Sequence, residues 1–383
     1  MIKEIVIAVY LLIFRLIFTV FKMLPLKKKT VFIASFGQNT LFTAEALEKY
    51  TDQTVIILKT KKCMLHFDSS ARRKVIPFRL ANPIGWFIAV FHLATSQKVF
   101  ADNYYGILAA AKFRQHTKCI QLWHAAGAVK KFGLKDLSLG ERRPSACRRF
   151  KKVYQRFDYV VVGSERMTAI FQEAFGLAGN RFLRKGVPRT DFFFNEEMKI
   201  KAKQSITHNF PIITEKKVIL YAPTYRDDEL TMNQIMIDVD KIYDRLKEDY
   251  ILLISIHPAV TLDDFQMYPD FLFNVSNYPI NHILLISDVL ITDYSSVMFE
   301  FSLLNKPMVF YAYDLEEYSR TKGLWEDYES LVPGPVVQST DQIIEVLVKE
   351  ISSRNMITEF SKEWNTYSNG RSSEALIKAI YFS

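Results

Sequence analysis

Apolar residues fall along this chain in short blocks that alternate with stretches of helical or polar spacing. "TVFIASFG" (30–37), "TVIILK" (54–59), "KVFADN" (98–103), "KCIQLWH" (118–124) and "DYVVVGS" (158–164) are β-rich runs apolar at consecutive positions, the pattern of strands buried on both faces. "PIGWFIAVFHLATS" and "ERMTAIFQEAFG" carry the helical period. A polar, lysine-rich stretch follows, "FFFNEEMKIKAKQSITHNFPIITEKK", and then the pattern starts again. The second set of strands is "VILYAPT" (218–224), "YILLISIH" (250–257), "DVLITD" (288–293) and "PMVFYAY" (307–313), with helices over "TMNQIMIDVDKIYDRLKE", "SSVMFEFSLLN" and "TDQIIEVLVKEISS". Strands alternating with helices predict parallel sheets covered on both faces. The expectation is two α/β domains in series with a boundary near residues 190–215.

The first 29 residues stand apart. "IVIAVYLLIFRLIFTVFKML" (5–24) is long enough to cross a bilayer. At 100° per residue, however, Glu4, Arg15 and Lys22 project within about 20° of one another, so one charged stripe runs along an otherwise apolar helix. A spanning helix would hold Arg15 near the bilayer centre at a cost of several kcal/mol, whereas a helix lying in the interface keeps the stripe wet. The reading favours a peripheral, monotopic anchor over a spanning helix, a cleaved signal peptide or a buried core helix. Lys27, Lys28 and Lys29 would then meet anionic lipid on the cytoplasmic side.

Composition narrows the function classes. The 383 residues carry a formal charge of +9, concentrated in "KMLPLKKKT", "KTKKC" and "RRPSACRRFKK". Such charge suits an anionic membrane surface or a phosphorylated substrate. Nucleic acid ranks last, because no zinc-finger spacing, RNA-binding signature or repeat accompanies the charge. Cys63, Cys119 and Cys147 are too few and too irregular for a disulfide framework or a zinc site, which fits a reducing, cytosolic setting.

In open α/β sheets ligands sit beyond the carboxyl ends of the strands. Read so, His124 closes a strand in the first domain and His257 closes one in the second. In "ITDYSSVMFEFSLLN", Asp293 follows a strand and Ser295 and Ser296 open a helix, whose free N–H groups and positive dipole end suit phosphate; the same residues also make an ordinary N-cap. Glu300, one turn on, is in range of ribose hydroxyls. "YAPTYRDDE" offers Thr224 and Arg226, unless Arg226 pairs with a neighbouring aspartate. In "WHAAGAVKKFG", Gly127 lets backbone approach a ligand, and Lys130 and Lys131 form either a cationic floor or plain solvated surface. No carboxylate cluster of metal-binding type stands out, so no obligatory metal is expected; Mg²⁺ arriving with a donor stays open.

Taken together, "WHAAGAVKKFG", "VGSERM", "GVPRTD", "YAPTYRD", "IHP" and "ITDYSSVMFEFSLLNKPMVFYAYDLEEY" resemble the CDP-glycerol glycerophosphotransferase family of wall teichoic acid synthesis. The departures "WHAAG" and "IHP", where many members carry other residues, point to its primase branch. The resemblance implies a GT-B-like fold: two Rossmann-type domains facing a central cleft, over 30–200 (acceptor) and 201–383 (donor), behind a membrane-associated segment at 1–29. It implies CDP-glycerol as donor and an undecaprenyl-diphosphate-linked ManNAc-GlcNAc disaccharide as acceptor, with CMP released. His124 would be the general base, and His257 would steady the leaving CMP. Ser295 and Ser296 would hold donor phosphates, Thr224 and Arg226 the developing charge, Glu300 the ribose, and Asp293 the loop itself. A homo-oligomer is possible. The rivals are a polyol-phosphate polymerase, a glycosyltransferase using another nucleotide donor, and a membrane-bound phospholipid or nucleic-acid binder without turnover.

Overall fold

The computed structural model describes residues 2–224, 235–256, 267–349 and 354–382. The chain divides into two compact units: Met1–Ala125, Lys131–Asp191 and Thr366–Ser383 form the first, Ala126–Lys130 and Phe192–Asn365 the second. The C-terminal residues, placed with the second domain by the sequence reading, therefore pack in the first.

Seven parallel strands make the sheet of the first unit, in the spatial order β3 (Arg73–Pro77), β2 (Thr54–Lys59), β1 (Lys27–Ala34), β4 (Ser96–Ala101), β5 (Lys118–Gln121), β6 (Tyr159–Val162) and β7 (Phe182–Arg184). The second unit repeats the plan with β10 (Leu272–Asn274), β9 (Tyr250–Ile254), β8 (Lys217–Ala222), β11 (Val289–Thr292), β12 (Met308–Tyr311) and β13 (Val336–Val337). In each sheet the first strand lies inside and the chain reverses direction beside it, between β1 and β4 and between β8 and β11. This is the strand order of doubly wound nucleotide-binding folds, in which the reversal opens a crevice.

Helix α1 (Ile2–Phe21) packs along its length on the first unit. Tyr10 accepts a hydrogen bond from Trp86 Nε1 (3.1 Å), Phe14 meets the edge of Trp86, and Phe18 and Phe21 meet Phe113 and Phe91. Its opposite face leaves Ile5, Val9, Leu16 and Val20 about half exposed or more, continued on α3 (Pro83–Ala94) by Ile84 and Phe87. Of the charged stripe, Arg15 stays exposed as expected, whereas Glu4 is taken up by α4 (Pro144–Tyr154), accepting from Arg149 and Ser145. These bonds hold the Glu4 carboxyl below the usual range, Arg149 contributing most.

α3 is tied to the sheet by a buried lysine. Lys29 Nζ donates to His92 Nδ1 at 2.9 Å and to Thr95 Oγ1 at 2.7 Å. Burial, aided by the Lys29 charge, pushes the His92 imidazole down to about 4, and burial brings Lys29 to about 8. A folded value for His92 below its unfolded value, about 6.5, means that folding favours the neutral ring. That contribution is full above about pH 6.5 and is lost as pH falls toward 4. Thermal unfolding of the wild type should therefore lose stability across this window more steeply than His92→Gln, which keeps an acceptor for Lys29 but cannot titrate. Parallel curves would show that the ring carries no such linkage.

The C-terminal helix (Ser372–Tyr381) returns to pack on α2 (Gln38–Tyr50), with Leu376 and Ile377 in the same core as Ala44 and Leu47. Asp191, last residue of "GVPRTD", accepts from the backbone N–H groups of Ser372 and Ser373, each at 2.8 Å. A Cβ on Gly186, at φ 82°, would lie 2.3 Å from Ser372 Oγ and 2.5 Å from the Tyr367 carbonyl. Much of this motif thus serves to fasten the end of the chain.

Candidate active site

At the reversal point of the first sheet a buried carboxylate organises the loop. Asp102, directly after β4, accepts from the backbone N–H groups of Ser35, Phe36 and Gly37 at 2.8–3.1 Å and from the Tyr105 hydroxyl at 2.6 Å. Burial pushes its carboxyl above the usual range, while the Tyr105 hydroxyl and the three amides pull it back. In nucleotide-binding sheets the turn after the first strand commonly offers its amides to phosphate; here the protein's own aspartate takes them.

His124 stands beside this loop. The apolar run predicts a strand ending at His124, but β5 stops at Gln121, because Trp123 adopts a left-handed backbone with φ 56°. Such a conformation is strained in a bulky side chain and is held only by its surroundings. Trp123 N–H donates to Gln121 Oε1 (2.8 Å), and Asn39 donates to the Trp123 carbonyl (3.0 Å). The His124 ring is stacked on Phe36 (3.9 Å, 8°) and Trp123 (4.4 Å, 28°). Its Nδ1 lies 3.1 Å from the Asp102 carbonyl oxygen. A carbonyl only accepts, so Nδ1 carries the proton, and in the neutral ring the basic lone pair is on Nε2.

Two residues past His124, at Ala126, the chain enters the second unit for five residues, Ala126–Lys130. Gly127 is needed there for packing: an added Cβ would lie 2.6 Å from the Phe299 ring. Lys130 bridges backbone with Leu324, and its Nζ is 3.5 Å from the Tyr318 hydroxyl. Lys131, half-buried, starts the return to the first unit.

The reversal point of the second sheet repeats the first. Asp293, directly after β11, accepts from Thr224 N–H at 2.7 Å, and its carbonyl accepts from Tyr328 at 2.8 Å. Tyr294 stacks on Tyr318 (3.7 Å, 11°) and donates to Asp314 (3.0 Å); burial pushes its hydroxyl far up, so it stays protonated. The rigid turn leaves Ser295 and Ser296 partly exposed, with Ser296 as N-cap of a helix of five residues, Val297–Phe301. Glu300 is fully buried in that helix, so a ribose reaches it only if its cover moves. His257 and Arg226 lie outside the described residues. Among the described residues no group of three or more His, Cys, Asp or Glu stands together as a metal cage.

The arrangement has a paired logic: an aspartate after the fourth strand pins the turn after the first strand in both units. Asp102 was missed by the sequence reading, although "KVFAD" and "VLITD" carry the same ending. Residues 16–382 match the family described as CDP-Glycerol:Poly(glycerophosphate) glycerophosphotransferase. The chain belongs to this family. Within the CDP-glycerol glycerophosphotransferase family it is 38% identical over 356 residues to the teichoic acid glycerol-phosphate primase of Bacillus subtilis, covering 92% of each chain. It is 34% identical over 381 residues to the teichoic acid poly(ribitol-phosphate) polymerase of Bacillus spizizenii, covering 96% of this chain and 59% of that one. The wall teichoic acid polymerase TagF shares the fold, with a TM-score of 0.82 at 24% identity over 100% of this chain and 98% of that chain.

Proposed function

We propose that this chain is a teichoic acid glycerol-phosphate primase of GT-B-like type, passing one glycerol phosphate from CDP-glycerol to a sugar hydroxyl of a lipid-diphosphate-linked disaccharide. The observation that carries the reading is the 38% identity, over 92% of both chains, to the Bacillus subtilis primase. The acceptor oxygen forms a bond to the glycerol-bearing phosphorus, the bridging P–O bond breaks, and CMP leaves with the bridging oxygen. His124 Nε2 takes the hydroxyl proton. Its ring is held for this by the Nδ1 contact with the Asp102 carbonyl and by the two aromatic faces.

On the donor side, Ser295 and Ser296 receive the diphosphate at the turn fixed by Asp293, with Thr224 beside them. Arg226 and His257 complete the charge balance in this scheme, and Glu300, buried in its helix, reads the ribose once its cover moves. Lys130, anchored near Tyr318, supplies positive potential, and Lys131 adds to it. Stabilising negative oxygens with fixed donors accounts for much of the rate in such transfers. Mg²⁺, if used, enters with the donor. The enzyme works at the cytoplasmic face of the membrane, seated through the exposed apolar side of α1.

Purified protein, CDP-glycerol and a lipid-linked disaccharide should give a product heavier by one glycerol phosphate in the mass spectrum, with CMP released. A ladder of additions would mean a polymerase, and consumption of a UDP-sugar instead would mean a glycosyltransferase.

A further inference from the structure

Two adjoining cavities of the first unit lie between α1 and α4, and neither belongs to the site described above. The first, of about 590 Å³, is lined by Arg15, Lys112, Arg148, Lys152 and Arg156, with Glu4 and Arg149 at its edge. Glu4 is its one acidic lining residue, and its carboxylate is taken up by Arg149 and Ser145. Arg148 and Lys152 are exposed, stand one turn apart on α4, and have no acidic partner among the described residues. Like charges at that spacing repel and weaken the helix unless an anion lies between them. The exposed apolar row of α1 runs beside this cavity.

The second cavity, of about 780 Å³, shares Glu4, Leu11 and Arg149 with the first. Its wall is aromatic as well as basic: Tyr104 stacks on Phe150 at 4.7 Å, and Arg142 lies 5.1 Å above Phe150. Tyr104 is two residues, at most ~7 Å of backbone, from Asp102, whose carbonyl holds His124. An apolar row, a knot of cations and an aromatic wall thus adjoin one another, and the aromatic wall includes a residue two positions from the aspartate whose carbonyl holds the histidine.

We propose that this α1–α4 groove binds the acceptor: the lipid tail lies along α1, the diphosphate among Arg15, Arg148 and Lys152, and the sugars against Tyr104 and Phe150. The inference rests on the primase reading for the identity of the acceptor. An ordinary anionic phospholipid carries beyond its phosphate only a headgroup much smaller than a disaccharide, whereas two sugars suit the aromatic cavity of about 780 Å³.

The test is the double variant Arg148→Gln/Lys152→Gln, with Lys61→Gln on a separate basic surface as control. Binding of an undecaprenyl diphosphate disaccharide in neutral detergent micelles, measured without donor, should weaken about tenfold or more in the double variant and stay unchanged in the control. In turnover, the acceptor KM should rise by the same factor with the CDP-glycerol KM unmoved. Unchanged binding overturns the inference, as does a loss seen only when anionic phospholipid is added, which would mark general membrane attraction. If the wild type binds the lipid but transfers nothing to it, the groove stands and the primase reading falls.

Discussion

His124→Ala is expected to lower kcat for glycerol phosphate transfer by about 10²–10⁴-fold, with the CDP-glycerol KM little changed. The size follows from the role: loss of a positioned base removes proton transfer from the transition state and leaves binding of the donor intact. The structure makes His124 the candidate by fixing its tautomer, since a ring that donates from Nδ1 to the Asp102 carbonyl has its lone pair on Nε2. Stacking on Phe36 and Trp123 leaves the ring little freedom to swing. His124→Gln offers a donor of similar reach without a base of useful pKa, so it should be as inactive as the alanine variant while unfolding at a temperature closer to the wild type. A His124→Gln enzyme retaining more than a tenth of the wild-type kcat would remove His124 from the chemistry and leave it a structural residue.

Strands inside each sheet were legible where they are buried on both faces and run apolar for three or four residues, as in "TVIILK" and "DVLITD". The strands at the sheet margins, β3, β7, β10 and β13, were not. They are paired on one side only, and "RKVIP" or "LFN" has no apolar run long enough to detect. Strand ends were overdrawn where apolar residues continue past the ladder. In "KCIQLWH" the left-handed turn at Trp123 stops the strand before His124, and nothing in a tryptophan announces positive φ. The return of the last helix to α2 was hidden for another reason. Its apolar stripe says that it is buried, but the partner lies more than 300 residues earlier in the chain, beyond the reach of any local pattern. Of the site, Asp293, Ser295 and Ser296 could be read from the strand-to-helix junction that carries them. Asp102 shares the strand-end position of Asp293, but no serine pair or α-helix start follows it directly in the sequence to mark the turn as a site.

Asp102→Ala should cost the first unit about 3–5 kcal/mol of stability, because it leaves several buried neutral donors without their acceptor. Three amides and the Tyr105 hydroxyl converge on the carboxylate, at a position with no exposed surface. Each donor left without an acceptor in such a place forfeits about 1–3 kcal/mol; partial collapse and entering water hold the total below the simple sum. Against the 5–15 kcal/mol typical of a whole domain, the variant would be left marginal, and denaturant unfolding should show a large fall in midpoint. Asp102→Asn separates charge from shape. Its carbonyl oxygen still accepts, but its amide group turns N–H against the N–H groups of the loop, so an intermediate loss is expected. Because the Asp102 main chain also holds His124, the asparagine variant should lose kcat along with stability at temperatures where it remains folded. An Asp102→Ala protein unfolding at the wild-type midpoint would show that the loop after β1 keeps its shape without the carboxylate.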